Sequence, residues 1–307
     1  MSSLQPLVSI IIATYNGEKY LQEQLTTIIN QTYKNIEIII CDDDSTDGTI
    51  GIVKNFSKNN SNVSYFISEK NKGVNKNFEN AFLKATGDYI AISDQDDVWL
   101  PSKIEEQLKL FTSEEIVLAY TSSVRFSGAI LPTKKYNYSS NLFEGNNVRK
   151  LLLRNSVSGH NIIFRKQLLQ QILPIPENIY YDWWIVQTAA CNGIVAATNK
   201  VLAYQRAHEN NITVKKRTTI NQSTNEYKER KIALKAFTEL KGLKDDDKKF
   251  IEETLQYFLL LENTNFSQPL FSFLMKNKDH FFFYKKGILK YFSQKKAAKQ
   301  MSYKVIS

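Results

Sequence analysis

Two acidic turns follow apolar runs in this chain. Asp94-Gln95-Asp96-Asp97 closes the run Asp88–Ser93, and Asp42-Asp43-Asp44 closes Ile36–Cys41. Carboxylates one residue apart at a strand end can both turn toward a single ligand. Hard oxygen donors of this kind suit Mg²⁺ or Mn²⁺, which keep several waters and share substrate phosphates. The alternative for Asp94–Asp97 is a turn of solvated acids leading to a helix that Pro101 would open. Asp42–Asp44 has the same two readings. Three adjacent acids repel, so at least one serves a hydrogen-bonding ligand or a cap.

Other chemistries lack their signatures. No GxGxxG follows the first strand and no GxxxxGK[ST] is present, which disfavours dinucleotide dehydrogenases and P-loop NTPases. GxSxG is absent, and the two cysteines, Cys41 and Cys191, form neither a disulfide framework nor a zinc motif.

The acidic turns need elements to position them. Leu7–Ala13 and Ile36–Cys41 are short, β-branched, nearly continuous apolar runs and predict buried strands. Val63–Ile67 and Asp88–Ser93 predict two more strands. Helices are expected over Glu18 to about Asn30, from the Asp42–Gly48 turn to about Phe56 with Ser45 or Asp47 as cap, and near Asn77–Lys84. Such alternation over the first 110 residues implies a mostly parallel sheet with helices on both faces. Ligands of these sheets bind at the carboxyl ends of the strands. Three polar clusters, Thr14-Tyr15-Asn16, Asp42–Asp44 and Asp94–Asp97, fall at such ends. Short strands are expected at Ile116–Thr121, Asn161–Phe164 and Val201–Tyr204, a loop over 128–145, and helices beyond Thr218.

The 307 residues carry a net charge of +9, with 42% hydrophobic and 23% charged residues, the composition of a globular protein. Residues 270–307 hold nine lysines and one acid (Asp279), whereas the preceding 269 residues carry 31 basic and 30 acidic side chains. The excess charge is therefore a property of the tail. No signal peptide or spanning segment is expected, and reduced thiols point to the cytoplasm.

The motifs in order resemble a known family. Val8-Ser-Ile-Ile-Ile-Ala-Thr-Tyr-Asn16, Cys41-Asp-Asp-Asp-Ser-Thr-Asp-Gly-Thr49, Asn71-Lys-Gly73 and Gly87 to Pro101 look like the family 2 inverting glycosyltransferases of the GT-A fold. The form Ser93-Asp-Gln-Asp-Asp-Val-Trp99 is most similar to the rhamnosyltransferase branch. Asp44 departs from the family, which commonly has Gly there.

The resemblance implies an α/β GT-A domain over 1–215, with nucleotide-sugar binding in 1–110 and acceptor and catalytic parts in 111–215. A helical C-terminal extension, 216–307, follows. It implies that Thr14, Tyr15 and Asn16 line the nucleotide pocket and that Asp43 meets the base. Asn71, Gly73 and Asn77 would lie in a covering loop, Asp94 would touch ribose or metal, and Asp96 would hold Mn²⁺ or Mg²⁺ on the diphosphate. Asp97 ranks lower, as a support of its own loop. Asp182, in Tyr180-Tyr-Asp-Trp-Trp-Ile185, matches the catalytic base, with an N-cap of helix 183–192 as its other reading. A helix N-terminus would lower its pKa. His208 matches a metal or phosphate contact, while His160, Trp183, Trp184 and Arg206 fall where acceptor or diphosphate contacts are expected. Core packing, a structural histidine and a solvated arginine are the alternatives for these four.

The implied reaction moves a sugar, rhamnose from dTDP-rhamnose first and a UDP-hexose or UDP-HexNAc second, onto a glycan or lipid-linked acceptor in cell-surface polysaccharide synthesis. A non-catalytic nucleotide-sugar-binding subunit is the alternative from another class. In the tail, Phe281, Tyr284, Ile288 and Phe292 share a face at helical spacing among lysines. That predicts an in-plane helix on an anionic membrane, on the inner face of the plasma membrane, with a helix packed on its own domain behind a solvated basic face as the alternative; a nucleic-acid surface is disfavoured because the tail lacks Arg.

Overall fold

The computed structural model describes residues 5–127, 142–209 and 222–303. Most of the loop expected over 128–145, and the stretch after Glu209, lie outside the described residues.

The apolar runs form the strands of one sheet. These are β1 (Val8–Thr14), β2 (Ile36–Asp42), β3 (Val63–Ile67), β4 (Tyr89–Ser93), β5 (Val98–Trp99), β6 (Ile116–Phe126), β7 (Ile162–Arg165) and β8 (Ile194–Arg206). Their order is β3-β2-β1-β4-β7-β6-β8-β5. The four strands β3, β2, β1 and β4 run parallel, β7 is antiparallel to β4 and β6, and β5 is antiparallel to β8. This is the α/β GT-A-like architecture expected, with its parallel half at the N-terminus.

Both faces of that half are covered, which is why its strands read as continuous apolar runs. Ile10, Ile12, Ile38 and Ile40 pack on Leu21, Leu25 and Ile28 of α1 (Glu18–Ile29) and on Val53 and Phe56 of α2 (Thr49–Asn59). The alternate residues Ile11, Ile39, Ile90 and Ile92 face Phe78 and Phe82 of α3 (Val74–Phe82). The period of two between these sets is the strand pleat itself. Register places Thr14 beside Asp42 and Ile12 beside Ser93. The carboxyl ends of β1, β2 and β4 thus open on one edge, and the three polar clusters meet there.

Local details refine the expectations. Of the two residues expected to cap α2, Asp47 accepts the backbone N–H of Thr49 at 3.0 Å, while Ser45 instead bonds Asp42 and the backbone of Asn16. Helix α3 starts three residues early, directly after Gly73, whose φ of +85° a side chain would resist. Between the sheet and the tail come α4 (Lys103–Leu108), α5 (Leu169–Ile172) and α6 (Tyr181–Asn192).

The C-terminal extension contains α7 (Gln222–Phe237), α8 (Asp245–Leu259), α9 (Gln268–Lys276), α10 (Lys278–Phe281) and α11 (Lys290–Met301). Phe237, Phe258, Phe273, Phe281 and Phe282 are buried in the same cluster as Trp183, Trp184 and Leu151. This corrects the expected in-plane helix. The chain leaves α10 after Phe281, turns through Gly287 at φ +88°, and re-enters a helix only at Lys290. Phe281 is buried and Ile288 fully exposed, so they share no face. The aromatic half of the motif finds apolar surface on its own protein, and the glycine lets the rest turn away. Among the described residues, no helix is long and apolar enough to cross a membrane.

Candidate active site

The Asp94–Asp97 turn is held by residues far away in sequence. Gln95 exchanges two hydrogen bonds with the backbone of Tyr15, at 2.9 and 3.1 Å, tying the ends of β1 and β4 together. A side chain on Gly17 would meet Gln95 Oε1 at 2.4 Å, so this contact needs the glycine. Asp97 is buried, and its Oδ1 accepts the backbone N–H of Arg206 at 3.1 Å. Asp96 Oδ2 lies 2.7 Å from His208 Nε2, across 112 residues of sequence. The His208 ring packs 4.9 Å from Tyr20.

His160 sits beneath the turn with 1% of its side chain exposed. Its Nδ1 is 3.6 Å from Asp94 and 3.5 Å from Asp97, and Nε2 is 2.9 Å from Ser123 Oγ. Burial opposes protonation of this ring, but the two carboxylates raise its pKa on balance. Asp94, Asp97 and His160 can bring one ligand atom each within 4.8 Å of one another. Asp97 Oδ2 has no hydrogen bond despite its burial. An unsatisfied buried oxygen beside oxygen and imidazole donors fits a divalent cation of the Mg²⁺ or Mn²⁺ type. Burial pushes the Asp97 carboxyl up to about 7 against the pull of His160, and burial with Asp94 raises that of Asp96 against the pull of His208.

Asp182 stands in the first turn of α6. Its Oδ1 accepts the N–H of Trp183 at 2.7 Å and its Oδ2 that of Gly159 at 3.3 Å. The cap position itself belongs to Tyr180. The expected lowering of its pKa is not what results. Burial outweighs the Trp183 N–H, and with Asp94 it pushes this carboxyl up to about 6. Tyr181, a residue without an assigned role in the sequence reading, donates its phenol to Asp94 at 3.3 Å and packs 4.2 Å from Phe78. Gly159 makes room for it, since a Cβ there would lie 2.1 Å from the Tyr181 hydroxyl.

Several expected contacts are corrected. Trp183 and Trp184 are buried, with indole N–H groups on the carbonyls of Leu151 and Ile172 at 2.7 Å, so neither offers a face to an acceptor. Arg206 is engaged within the protein. Its guanidinium lies 4.6 Å from the rings of Tyr20 and Phe126, bonds the Asp96 carbonyl and pairs with Glu23. His160 supports the acids from below and is too buried to meet an acceptor. Asn77 is in α3, buried, and donates to the carbonyls of Thr14 and Cys41, so it clamps β1 to β2. Thr14 is buried too, with its hydroxyl on Asp42 at 2.7 Å. Asp43 is 2% exposed and accepts the N–H groups of Lys72 and Gly73, which fixes the Asn71–Gly73 loop. Tyr15, Asn16 and Asn71 are exposed.

Lys103 escaped the sequence reading altogether. It is fully buried, donates to Gln107 at 3.0 Å, and lies 4.0 Å from the Trp99 ring. Burial pushes it down to about 7, against the pull of Asp97. A lone lysine in an amphipathic helix gives no sign of such a place.

Acids gathered at the carboxyl ends of parallel strands stand where α/β sheets bind their ligands. The family model "Glycosyl transferase family 2" matches residues 9–173. The chain belongs to glycosyltransferase family 2. This glycosyltransferase is 32% identical over 220 residues, 68% of this chain and 81% of the relative, to the Escherichia coli UDP-Glc:alpha-D-GlcNAc-diphosphoundecaprenol beta-1,3-glucosyltransferase WfaP. Other curated relatives match over less of their length, the first three over 37%, 46% and 48% of theirs. Among solved structures, S. aureus TarS 1–349 in complex with UDP-GlcNAc aligns at a TM-score of 0.64 and 18% identity, covering 96% of this chain and 89% of that TarS 1–349 chain. The Pyrobaculum calidifontis mannosyltransferase PcManGT in complex with GDP-Man and Mn²⁺ aligns at 0.60 and 15%, over 97% and 86%. At these identities the structural likeness concerns the fold, and it extends through the glycosyltransferase's C-terminal helices. The rhamnosyltransferase branch is not singled out by these relatives.

Proposed function

We propose that this glycosyltransferase inverts the anomeric centre of a UDP-sugar while transferring it to a lipid-linked glycan acceptor during polysaccharide assembly at the cytoplasmic face of the membrane. The observation that carries the reading is the position of Asp182. Two backbone N–H groups fix its carboxylate next to Asp94, and burial has raised its pKa to about 6, basic enough to take a proton yet ionised at neutral pH. WfaP and TarS, by the donors in their names, favour a UDP-sugar. The motif Ser93–Trp99 favours dTDP-rhamnose as the second reading.

Asp182 accepts the proton of the acceptor hydroxyl as its oxygen attacks the anomeric carbon. The bond from that carbon to the diphosphate oxygen breaks on the opposite face, and the nucleoside diphosphate leaves with the electron pair. One displacement inverts the configuration. Asp94 and Asp96, with His208 on Asp96 and with Asp97 and His160 behind them, would hold Mn²⁺ or Mg²⁺. The ion supplies Lewis-acid neutralisation of charge on the departing diphosphate. Tyr15, Asn16 and Asn71 line the nucleotide cleft, and Asp43 uses its remaining lone pairs toward the base. Residues 1–215 form the catalytic unit and 216–307 the extension that brings it to the lipid surface.

A donor screen with UDP-glucose, UDP-galactose, UDP-GlcNAc and dTDP-rhamnose, read as nucleoside diphosphate release, tests the reading. Turnover of a UDP-sugar supports it, and turnover of dTDP-rhamnose alone replaces the donor. Tight donor binding with no turnover, in the presence of lipid-linked acceptor, identifies a non-catalytic binding subunit.

A further inference from the structure

The turn that breaks the expected C-terminal helix leaves an apolar surface that is exposed among the described residues. Ile288 is 102% exposed, Leu289 64%, Tyr291 50% and Phe292 66%. Single exposed apolar residues are ordinary, but four within five positions at a protruding turn form a patch that calls for a partner. Gly287 creates the protrusion through its left-handed φ.

The surroundings are basic. Residues 270–307 carry nine lysines, and their one acid, Asp279, already bonds Lys290 at 3.0 Å. Lys295, Lys296 and Lys299 are exposed on α11 behind the tip. On the other side the aromatic stem is braced by cations from the body of the protein. Arg154 stacks 4.5 Å from the Tyr284 ring, and Lys150 lies 5.6 Å from that of Phe283. Arg154 is five residues before Gly159, whose N–H holds Asp182.

We propose that the Lys285–Phe292 turn is a membrane-docking tip that inserts Ile288, Leu289 and Phe292 into an anionic lipid bilayer. Apolar side chains at the centre with lysines around them match the boundary between acyl chains and headgroups. Charge selects this occupant over a second copy of the chain. Two tips of like charge repel, whereas each lysine near an anionic leaflet strengthens binding about fivefold. The tip rests on the reading of a lipid-linked acceptor and deepens it. The stem that carries the tip also contacts the segment running to the Asp182 clamp, so docking would bring that segment toward the bilayer that holds the acceptor.

The test is co-sedimentation of the full chain with phosphatidylcholine vesicles, with and without phosphatidylglycerol. Binding should require phosphatidylglycerol and weaken with salt. The variant Ile288→Asp/Leu289→Asp/Phe292→Asp should bind at least about tenfold more weakly, as loss of apolar insertion demands. Its donor hydrolysis without vesicles should be unchanged, which shows that it is folded. In a second measurement, Ile288→Trp should be quenched by brominated lipid. Equal binding by the triple variant, equal binding to neutral vesicles, or an unquenched Trp at 288 overturns the proposal. Dimers that disperse in the triple variant, without vesicle binding by the parent chain, would assign the patch to a second copy instead. Donor hydrolysis separates the two readings. A chain that binds vesicles through the tip but turns over no donor leaves the tip standing and removes the enzymatic reading.

Discussion

The two acidic turns look alike in sequence and differ in what surrounds their carboxylates. In the first turn Asp42 and Asp43 are bonded mainly within the chain, while Asp44 is exposed. Asp42 holds Thr14 and Ser45, and Asp43 holds the backbone of Lys72 and Gly73. In Asp94–Asp97 the carboxylates face histidines and each other, and Asp97 Oδ2 is left without a hydrogen bond. A carboxylate saturated by backbone N–H groups shapes a loop. One that is buried against other acids is held ready for a cation or a proton.

If that contrast is right, changes at the second site and at Asp182 beside it should cost turnover, and those at the first should cost stability. Asp182→Asn should lose about 10³-fold in transfer, within the range of a missing general base, with donor affinity retained in calorimetry. Unchanged turnover would remove Asp182 from the reaction. In the parent enzyme, transfer should fall about tenfold per pH unit below about 6, because the base is then protonated. A flat profile from pH 7 to 5 would contradict this.

The same variant should be more stable. The folded-state pKa of Asp182 lies above the ordinary value of 3.8, so its ionisation destabilises the fold as pH rises from about 4 past 6. At pH 7 Asp182→Asn should therefore gain about 1–3 kcal/mol in urea unfolding, and nothing below pH about 4. Asp96→Ala should weaken Mn²⁺-dependent donor binding about 10–100-fold, and equal donor affinity with and without the ion in the parent enzyme would break the metal assignment.

At the first site, Asp43→Ala strands the N–H groups of Lys72 and Gly73 and should cost about 1–3 kcal/mol in thermal unfolding, with donor binding weakened through the loop. The smallest effect belongs to Asp44, exposed at φ +67° where the family commonly has Gly. Asp44→Gly relieves a left-handed side chain and adds unfolded-state entropy, for a net gain of about 0.5 kcal/mol. A loss there would mean that the Asp44 side chain has work of its own in the cleft.

Much of the parallel half was legible in the sequence. Strands buried on both faces must be nearly continuous in apolar residues, and Val8–Thr14 and Ile36–Asp42 could be little else. The topology then forces the residues after β1, β2 and β4 to one edge. Side-chain direction was less legible. Trp183 and Trp184 look like sugar platforms in a motif but lie in the core, and Arg206 looks like a phosphate ligand but bonds Glu23 and a carbonyl. Nothing in local spacing distinguishes these cases.

The tail shows the same limit from the other side. Its charge, its aromatics and its glycine are all plain in the sequence, yet a helical projection places Phe281 and Ile288 on one face. Only the packing of α8 and α9 offers Phe281 a buried place, and only then does Gly287 become a turn with an exposed tip. The sequence by itself determined the parallel half of the sheet, its strand ends and the identity of the acids, because those follow from short-range periodicity and chain connectivity. The tertiary structure decided which acids are saturated and which are not, bringing His208 to Asp96 and Gly159 to Asp182. Desolvation and hydrogen-bond partnership depend on neighbours that sequence separation does not reveal.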